Sequence, residues 1–85
     1  MPYAVLLSPA AERDRRKLPP EIRSRITQTL LALERDPRSP DIAKLSGTVN
    51  RWRVRTGDYR ILFEVDDTAQ TVLVLRIVHR REAYR

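Results

Sequence analysis

Two alternating segments on either side of Gly57-Asp58 form the clearest hydrophobic pattern in the chain. Apolar and polar residues alternate in 51–56 and again in 59–63, which is the period of β-strands. A glycine-first pair between them fits a two-residue hairpin turn. A slip of one residue would exchange the two sets of side chains, so the pattern fixes the register. The predicted core face carries Trp52, Val54, Tyr59, Ile61 and Phe63, and the opposite face carries Arg51, Arg53, Arg55 and Arg60.

The segments before the hairpin predict one strand and two helices. Residues 3–7 are apolar and indicate a first strand. Ser8-Pro9 is a typical helix start, since serine caps and proline suits the first helical position, and we expect a helix through about Lys17. Residues 20–35 carry apolar side chains at helical spacing and predict a second, amphipathic helix. Residues 41–50 are a connection to the hairpin.

The end of the chain predicts a last strand from Thr71 to Arg80, after a polar turn at 66–70. This strand is apolar on both faces, which is typical of an interior strand. Its odd positions carry no charge before His79, so alternation assigns them to the core. Its even positions include two arginines and are assigned to the opposite face, which also carries the hairpin arginines. These even positions are Val72, Val74, Arg76, Val78 and Arg80.

These elements predict an α+β fold in a single domain, residues 1–85. An N-terminal strand is followed by two helices, which pack on one face of a small antiparallel sheet of about four strands. The first strand is expected to pair with the last one. The arginine-bearing face of the sheet is left uncovered.

Composition narrows the function classes. The 85 residues are 41% hydrophobic, which suffices for a globular core, and include no cysteine and one histidine. Disulfides and thiolate metal sites are therefore excluded, and we expect no cofactor or metal. No apolar run approaches the length of a membrane span, and the N-terminus has no signal-peptide pattern. A cytoplasmic location is expected.

The charge of the chain suggests an anionic partner. Seventeen Lys and Arg residues against eleven Asp and Glu give a net charge of +6, and most of the cations are arginine. Arginine's planar fork suits phosphate. Like charges directly opposite one another destabilise a sheet, yet the predicted register places Arg55 against Arg60. A solvated face is the simpler interpretation of such residues, but few acids share this face, and we favour a bound polyanion.

Several motifs together resemble one known family. The hairpin sequence Trp52-Arg53-Val54-Arg55, followed by Gly57-Asp58-Tyr59-Arg60-Ile61-Leu62-Phe63-Glu64, is similar to the central hairpin of the RelE-like toxins of bacterial type II toxin–antitoxin systems. The segment Lys44-Leu45-Ser46-Gly47 and the tail Val78-His79-Arg80-Arg81-Glu82-Ala83-Tyr84 resemble two further motifs of that family. The similarity covers nearly the whole chain, and the combination is more specific than any single motif.

The resemblance implies an enzyme that needs no metal. RelE-like toxins enter the ribosomal A site and cut mRNA there: the ribose 2′-oxygen attacks the adjacent phosphate, giving a 2′,3′-cyclic phosphate and a 5′-hydroxyl. The expected partners are the ribosome, mRNA and an acidic antitoxin that neutralises the toxin. The family's catalytic positions correspond here to Arg53, Arg55, Arg60, Arg80 and Tyr84. Weaker candidates for RNA contacts are Arg51, Arg76, His79 and Arg81.

The identity of a general base is left open by the sequence. Some RelE-like toxins have lysine where this chain has Arg53 and Arg55, and arginine does not deprotonate in proteins. A base, if there is one, must be Tyr84 or His79. Two alternatives also stay open: a ParE-like toxin, which shares the fold but acts on DNA gyrase without cleaving RNA, and a basic nucleic-acid-binding module without chemistry.

Overall fold

The computed structural model describes residues 3–38, 42–44 and 51–83. Along the chain lie β1 (Ala4–Leu7), α1 (Pro9–Arg16), α2 (Pro20–Arg35), β2 (Ile42–Lys44), β3 (Arg51–Thr56), β4 (Tyr59–Asp66), β5 (Thr71–His79) and α3 (Arg80–Ala83). None of the helices in these residues combines the length and the apolar character needed to cross a bilayer. The predicted α+β class is confirmed.

The sheet has five strands in the order β1-β5-β4-β3-β2. As predicted, the first strand pairs with the last, but it runs parallel to it, so the sheet is mixed. The segment predicted as a plain connection also contributes the three-residue strand β2, which pairs antiparallel with β3 at the other edge. β4 is consequently the central strand, and its side chains are flanked by neighbouring strands on both sides.

Both long helices begin where the sequence predicts. The Ser8 side chain caps α1 by accepting a hydrogen bond from the backbone N–H of Ala11 at 3.1 Å. Proline occupies the first turn of each helix, where its missing N–H costs nothing. From α2, Ile26 and Leu33 are fully buried against the sheet. This packing leaves the other sheet face, called the open face below, without either long helix.

The β3–β4 hairpin has the predicted register. Trp52 lies opposite Phe63, Val54 opposite Ile61, and Arg55 opposite Arg60. Gly57 at the tip has φ +57°, a left-handed conformation that glycine adopts without strain. The core face of the hairpin is therefore the apolar face, as the alternation requires.

The predicted alternation of the last strand is wrong over its first half. A β-bulge interrupts the β4–β5 pairing: Leu62 faces Arg76, but Phe63 faces Val74, which leaves Leu75 as the additional residue. Strict alternation cannot continue across this bulge. Val72 and Val74, which we expected on the open face, are fully buried in the core. The other residues of the reversed half, Leu73 and Leu75, are half-buried rather than core.

The bulge is held by the start of α1. The Ser8 hydroxyl donates to the Leu75 carbonyl at 2.8 Å. Further along, Asp14 accepts from the Ile77 backbone N–H at 2.9 Å and from Arg76 Nε at 2.7 Å. β1 pairs with β5 only as far as Val74. Beyond that point, residues at the cap and in α1 provide hydrogen-bond partners for the backbone groups of β5 that β1 does not reach. These contacts fix the direction in which β5 continues towards α3.

Candidate functional site

Three of the predicted catalytic arginines line one cavity on the open face. This arginine cavity lies at the hairpin tip, has a volume of about 230 Å³, and is lined by Arg55, Gly57, Asp58, Arg60 and Arg80. It is several times larger than a single water and has room for a phosphate group. The predicted cluster of cations is therefore a geometric site and not only a pattern along three strands.

Each arginine reaches the cavity from a different element. Arg55 is exposed near the end of β3, and Arg60 faces it from β4. Arg80 begins α3, where its backbone N–H donates to the Asp58 carbonyl at 2.7 Å. This hydrogen bond ties the end of β5 to the hairpin tip, so residues twenty-two positions apart in sequence form one wall.

Arg60 differs from its two neighbours because it is buried. Its exposed fraction is 5%, and among the described residues it is the charged side chain that falls in the buried class. Its position explains this: β4 is the central strand, and Arg55 on β3 and Val78 on β5 flank Arg60 on both sides. A partly desolvated guanidinium interacts more strongly with an anion than a solvated one, because the surrounding dielectric is lower. Sequence alternation alone gave no sign of this burial.

The cavity lining also includes a carboxylate, that of Asp58, which was not among the predicted site residues. Asp58 Oδ1 lies 3.8 Å from Arg80 NH1, and both side chains are about two-thirds exposed. Its place in the hairpin turn, two residues before Arg60, was the available signal. The described lining thus carries three guanidinium groups and one carboxylate.

The other predicted site residues that the structure describes lie outside the cavity lining. Arg53 shares the open face but faces Leu62, beyond the cavity lining. Arg51 pairs with Glu64 at 3.0 Å, and Arg76 pairs with Asp14. Arg81 is exposed next to the cavity arginine of α3. Tyr84 lies outside the described residues, as do positions 45–47 of the motif that precedes the hairpin.

His79 is on the opposite side of the sheet from the arginine cavity. It faces Tyr59 across the strands, with the two rings edge to face and their centroids 5.2 Å apart. Its Nδ1 accepts a hydrogen bond from the backbone N–H of Arg81 at 3.2 Å. Together with Arg25, it lines a separate cavity of about 210 Å³ on the helix side of the hairpin tip. The structure therefore does not bring this histidine together with the arginines.

The carboxylate of Asp14 shows how an arginine on the open face can become structural. Burial raises the pKa of Asp14, but the hydrogen bonds from Arg76 and from the Ile77 amide together outweigh this effect. The pKa is therefore below its usual value. Arg76 is thereby committed to the α1–β5 contact.

Among the described residues, no group of three or more histidine, aspartate or glutamate side chains is placed to hold a metal ion.

Comparisons with known proteins agree on one family. The profile of the family described as "ParE toxin of type II toxin-antitoxin system, parDE" matches residues 5–84. Toxin RelG of Mycobacterium tuberculosis is 38% identical over an alignment of 89 positions, which covers 100% of this chain and 99% of that protein. Toxin RelE3 of Methanocaldococcus jannaschii is 33% identical, with 94% of this chain and 93% of that protein covered.

Solved structures show the same similarity. The toxin–antitoxin complex RelBE2 from Mycobacterium tuberculosis contains a chain that superposes with a TM-score of 0.84 at 34% identity, covering 94% of this chain and 100% of that one. The sequence match, the shared fold and the arginine cavity on the open face are mutually consistent. The chain belongs to the ParE-toxin family and is a RelE-like toxin of a type II toxin–antitoxin system, within the RelE/ParE superfamily.

Proposed function

We propose that this toxin is a metal-independent endoribonuclease that cleaves mRNA in the ribosomal A site. The observation that carries the proposal is the convergence of Arg55, Arg60 and Arg80 on one cavity of about 230 Å³. Guanidinium groups bind phosphate oxygens through paired N–H donors. A cavity with three of them fits an RNA phosphate better than it fits an apolar or cationic ligand.

The reaction would follow the course implied by the resemblance to RelE-like toxins. The ribose 2′-oxygen forms a bond to phosphorus, and the bond from phosphorus to the 5′-oxygen breaks. Negative charge grows on the non-bridging oxygens, and Arg60 and Arg80 would stabilise it by hydrogen bonds that strengthen in the transition state. Arg55 and Arg53 would position the RNA backbone along the open face.

Proton transfer is the step that the arginines do not perform. The 2′-hydroxyl must lose a proton and the departing 5′-oxygen must gain one, and arginine stays protonated in proteins. His79 lies across the sheet from the cavity, which favours Tyr84 over His79 as the residue that handles these protons. Tyr84→Phe should lower single-turnover cleavage with little change in RNA binding if the hydroxyl acts. Equal loss in His79→Gln would contradict this assignment.

Primer extension on mRNA from translating ribosomes tests the central claim. Cuts within codons that occupy the A site support the proposal, and an absence of cuts at saturating toxin refutes it. The same assay in a chelator, at the lowest free magnesium that keeps ribosomes assembled, tests metal independence. A ribosome-free preparation that cuts RNA only after magnesium or manganese is added would show that the proposed mechanism is wrong.

We also propose that an acidic antitoxin neutralises this chain. Similar structures are RelB–RelE complexes from Mycobacterium tuberculosis and Pyrococcus horikoshii. A net charge of +6 and the arginines of the open face would attract a negatively charged segment. Co-expression with the product of the neighbouring gene should give a complex that purifies intact at low salt. Separate elution of the two chains would count against this partner.

The second candidate is a ParE-like toxin that acts on DNA gyrase. The description of the matching family profile favours it. The two relatives named RelG and RelE3, and the arginine cavity at the positions of the RelE-like motif, favour the ribonuclease. Gyrase-dependent DNA breaks without mRNA cleavage would establish the second candidate instead.

A further inference from the structure

The arginine cavity contains a negative charge in a place where the proposed ligand is also negative. Asp58 lines it together with Arg55, Arg60 and Arg80. Its carboxylate lies 3.8 Å from Arg80 NH1, while its backbone carbonyl accepts the much shorter hydrogen bond from the Arg80 N–H at 2.7 Å. The backbone contact holds α3 in place, so the side chain is not needed for that purpose.

The side-chain pair is also a poor source of stability. Both partners are about two-thirds exposed, and exposed ion pairs contribute little to folding. A long, exposed contact exchanges readily for a phosphate oxygen that makes shorter hydrogen bonds. The carboxylate then remains beside the bound phosphate and repels it.

The strength of this repulsion depends on the charge of the ligand. An internal phosphodiester carries one negative charge, whereas a terminal phosphomonoester carries nearly two near pH 7.5. Coulomb energy is proportional to that charge, so the carboxylate disfavours a monoester about twice as strongly in free energy. Doubling the free energy squares the ratio of affinities. If the carboxylate weakens phosphodiester binding by a given factor, it weakens phosphomonoester binding by the square of that factor.

We propose that Asp58 is a specificity-determining residue that makes the arginine cavity select internal phosphodiesters over terminal phosphomonoesters. This inference rests on the proposed function, because it takes the ligand to be an RNA phosphate. Three arginines alone would attract a phosphorylated RNA end more strongly than the interior of the strand. Asp58 offsets part of that preference and so directs the toxin to internal phosphates.

The test compares the wild type with Asp58→Asn, which keeps the backbone carbonyl and the side-chain shape. Two probes carry a single phosphate each: thymidylyl-thymidine, a phosphodiester, and thymidine 3′-monophosphate. Neither has a 2′-hydroxyl, so neither can be cleaved by 2′-oxygen attack. Dissociation constants are measured by NMR titration at pH 7.5 and 0.1 M salt.

We expect the phosphodiester to bind Asp58→Asn about three- to fivefold more tightly than the wild type, from one unit charge about 4–6 Å away in water. The phosphomonoester should gain the square of this factor, about ten- to twenty-fivefold. The ratio between the two gains, rather than either gain alone, reports the selection.

Asp66→Asn is the matched control because it makes the same change in net charge at the other end of β4. The strand spans Tyr59–Asp66, so the two positions are roughly 25 Å apart, well beyond the Debye length of about 10 Å at this salt. The Asp66 side chain accepts from the Ala69 N–H, and an asparagine oxygen can do the same. Both affinities should remain at their wild-type values.

Several outcomes would overturn the inference. Equal gains for the two probes would show no selection, and unchanged affinities would show no electrostatic role. Weaker binding by Asp58→Asn would mean that the carboxylate orients Arg80 for the ligand. If neither protein bound either probe, the cavity would not be a phosphate site.

The failure of this inference can be told apart from the failure of the proposed function, because the titrations use no ribosomes. An unequal gain without mRNA cleavage would refute the ribonuclease and leave the selectivity of Asp58 in place. Cleavage together with equal gains would refute only the role assigned to Asp58.

Discussion

The two ends of the sheet use arginine in different ways. At the end away from the hairpin tip, Arg38 makes two hydrogen bonds to Asp67 at 2.8 and 2.9 Å, and Arg51 pairs with Glu64 at 3.0 Å. At the hairpin tip, three arginines and one carboxylate line the cavity, and the ion pair between Arg80 and Asp58 is longer, at 3.8 Å. Among these residues, two arginines meet two carboxylates at the first end, whereas three arginines share one carboxylate in the cavity lining.

This difference separates the arginines held in ion pairs from the arginines that we propose bind phosphate. The hydrogen bond from Arg38, followed by that from Tyr3, lowers the pKa of Asp67, as expected for a carboxylate that is held in its charged form. A bidentate carboxylate neutralises the guanidinium charge and occupies the pair of donors that a phosphate would use. An excess of guanidinium groups around a cavity, in contrast, costs the free protein repulsion that a bound phosphate removes.

Arg80→Gln should have the largest effect. Loss of one charged donor at the transferring phosphate typically lowers the rate about a hundred- to a thousandfold. Stability should change by less than about 0.5 kcal/mol, since the side chain is 65% exposed. Single-turnover cleavage on ribosomes and urea unfolding measure the two quantities. Arg38→Gln, at the charge-balanced end, is the control and should cleave at nearly the wild-type rate. Similar losses in both variants would mean that the two ends do not differ in function.

Asp14→Asn should mainly affect stability. The Asp14 carboxylate joins α1 to β5 through Arg76 and the Ile77 amide, and hydrogen bonds to charged groups contribute about 1.5–3 kcal/mol. Since asparagine retains one acceptor, we expect a loss of about 1–3 kcal/mol in the free energy of urea unfolding. Asp66→Asn, which changes the charge at an exposed turn, is the control. A stability equal to the wild type would show that Asp14 does not hold the strand edge.

The same carboxylate predicts a pH dependence. Because the pKa of Asp14 is lower in the folded state, the unfolded chain takes up the proton first as the pH falls. Its contribution is complete above the usual value of 3.8 and is lost as the pH falls through the lower folded value. The gap in unfolding free energy between the wild type and Asp14→Asn should therefore be constant from pH 7 to 5 and shrink below pH 3.8. A gap as large at pH 2.5 as at pH 7 would contradict this linkage.

Arg55→Gln should give the smallest change, and in the opposite direction. Removing the like charge opposite Arg60 should raise the free energy of unfolding by a few tenths to about 1 kcal/mol. Arg53→Gln is the control because Arg53 faces the uncharged Leu62, so no repulsion is relieved. If both variants gain equally, the effect comes from net charge and not from the Arg55–Arg60 pair.

The sequence alone determined the two long helices, four of the five strands, the hairpin register and the arginine-bearing face. Ser8-Pro9 fixed the start of α1, and Gly57-Asp58 fixed the turn, because capping and positive φ depend on residues that are adjacent in the chain. Alternation fixed which hairpin side chains face the core, because a one-residue slip would place arginines in the core and apolar side chains in water.

Only the tertiary structure decided which arginines form the cavity. The bulge at Leu75 reverses the alternation of β5; Ser8 at the α1 cap bonds Leu75, and Asp14 bonds the residues that follow. Arg76 is thereby committed to Asp14, while the Arg80 N–H reaches the Asp58 carbonyl instead. Arg60 is buried because β4 is central in the five-stranded order. Each of these outcomes depends on contacts between residues far apart in sequence, which a local pattern does not record.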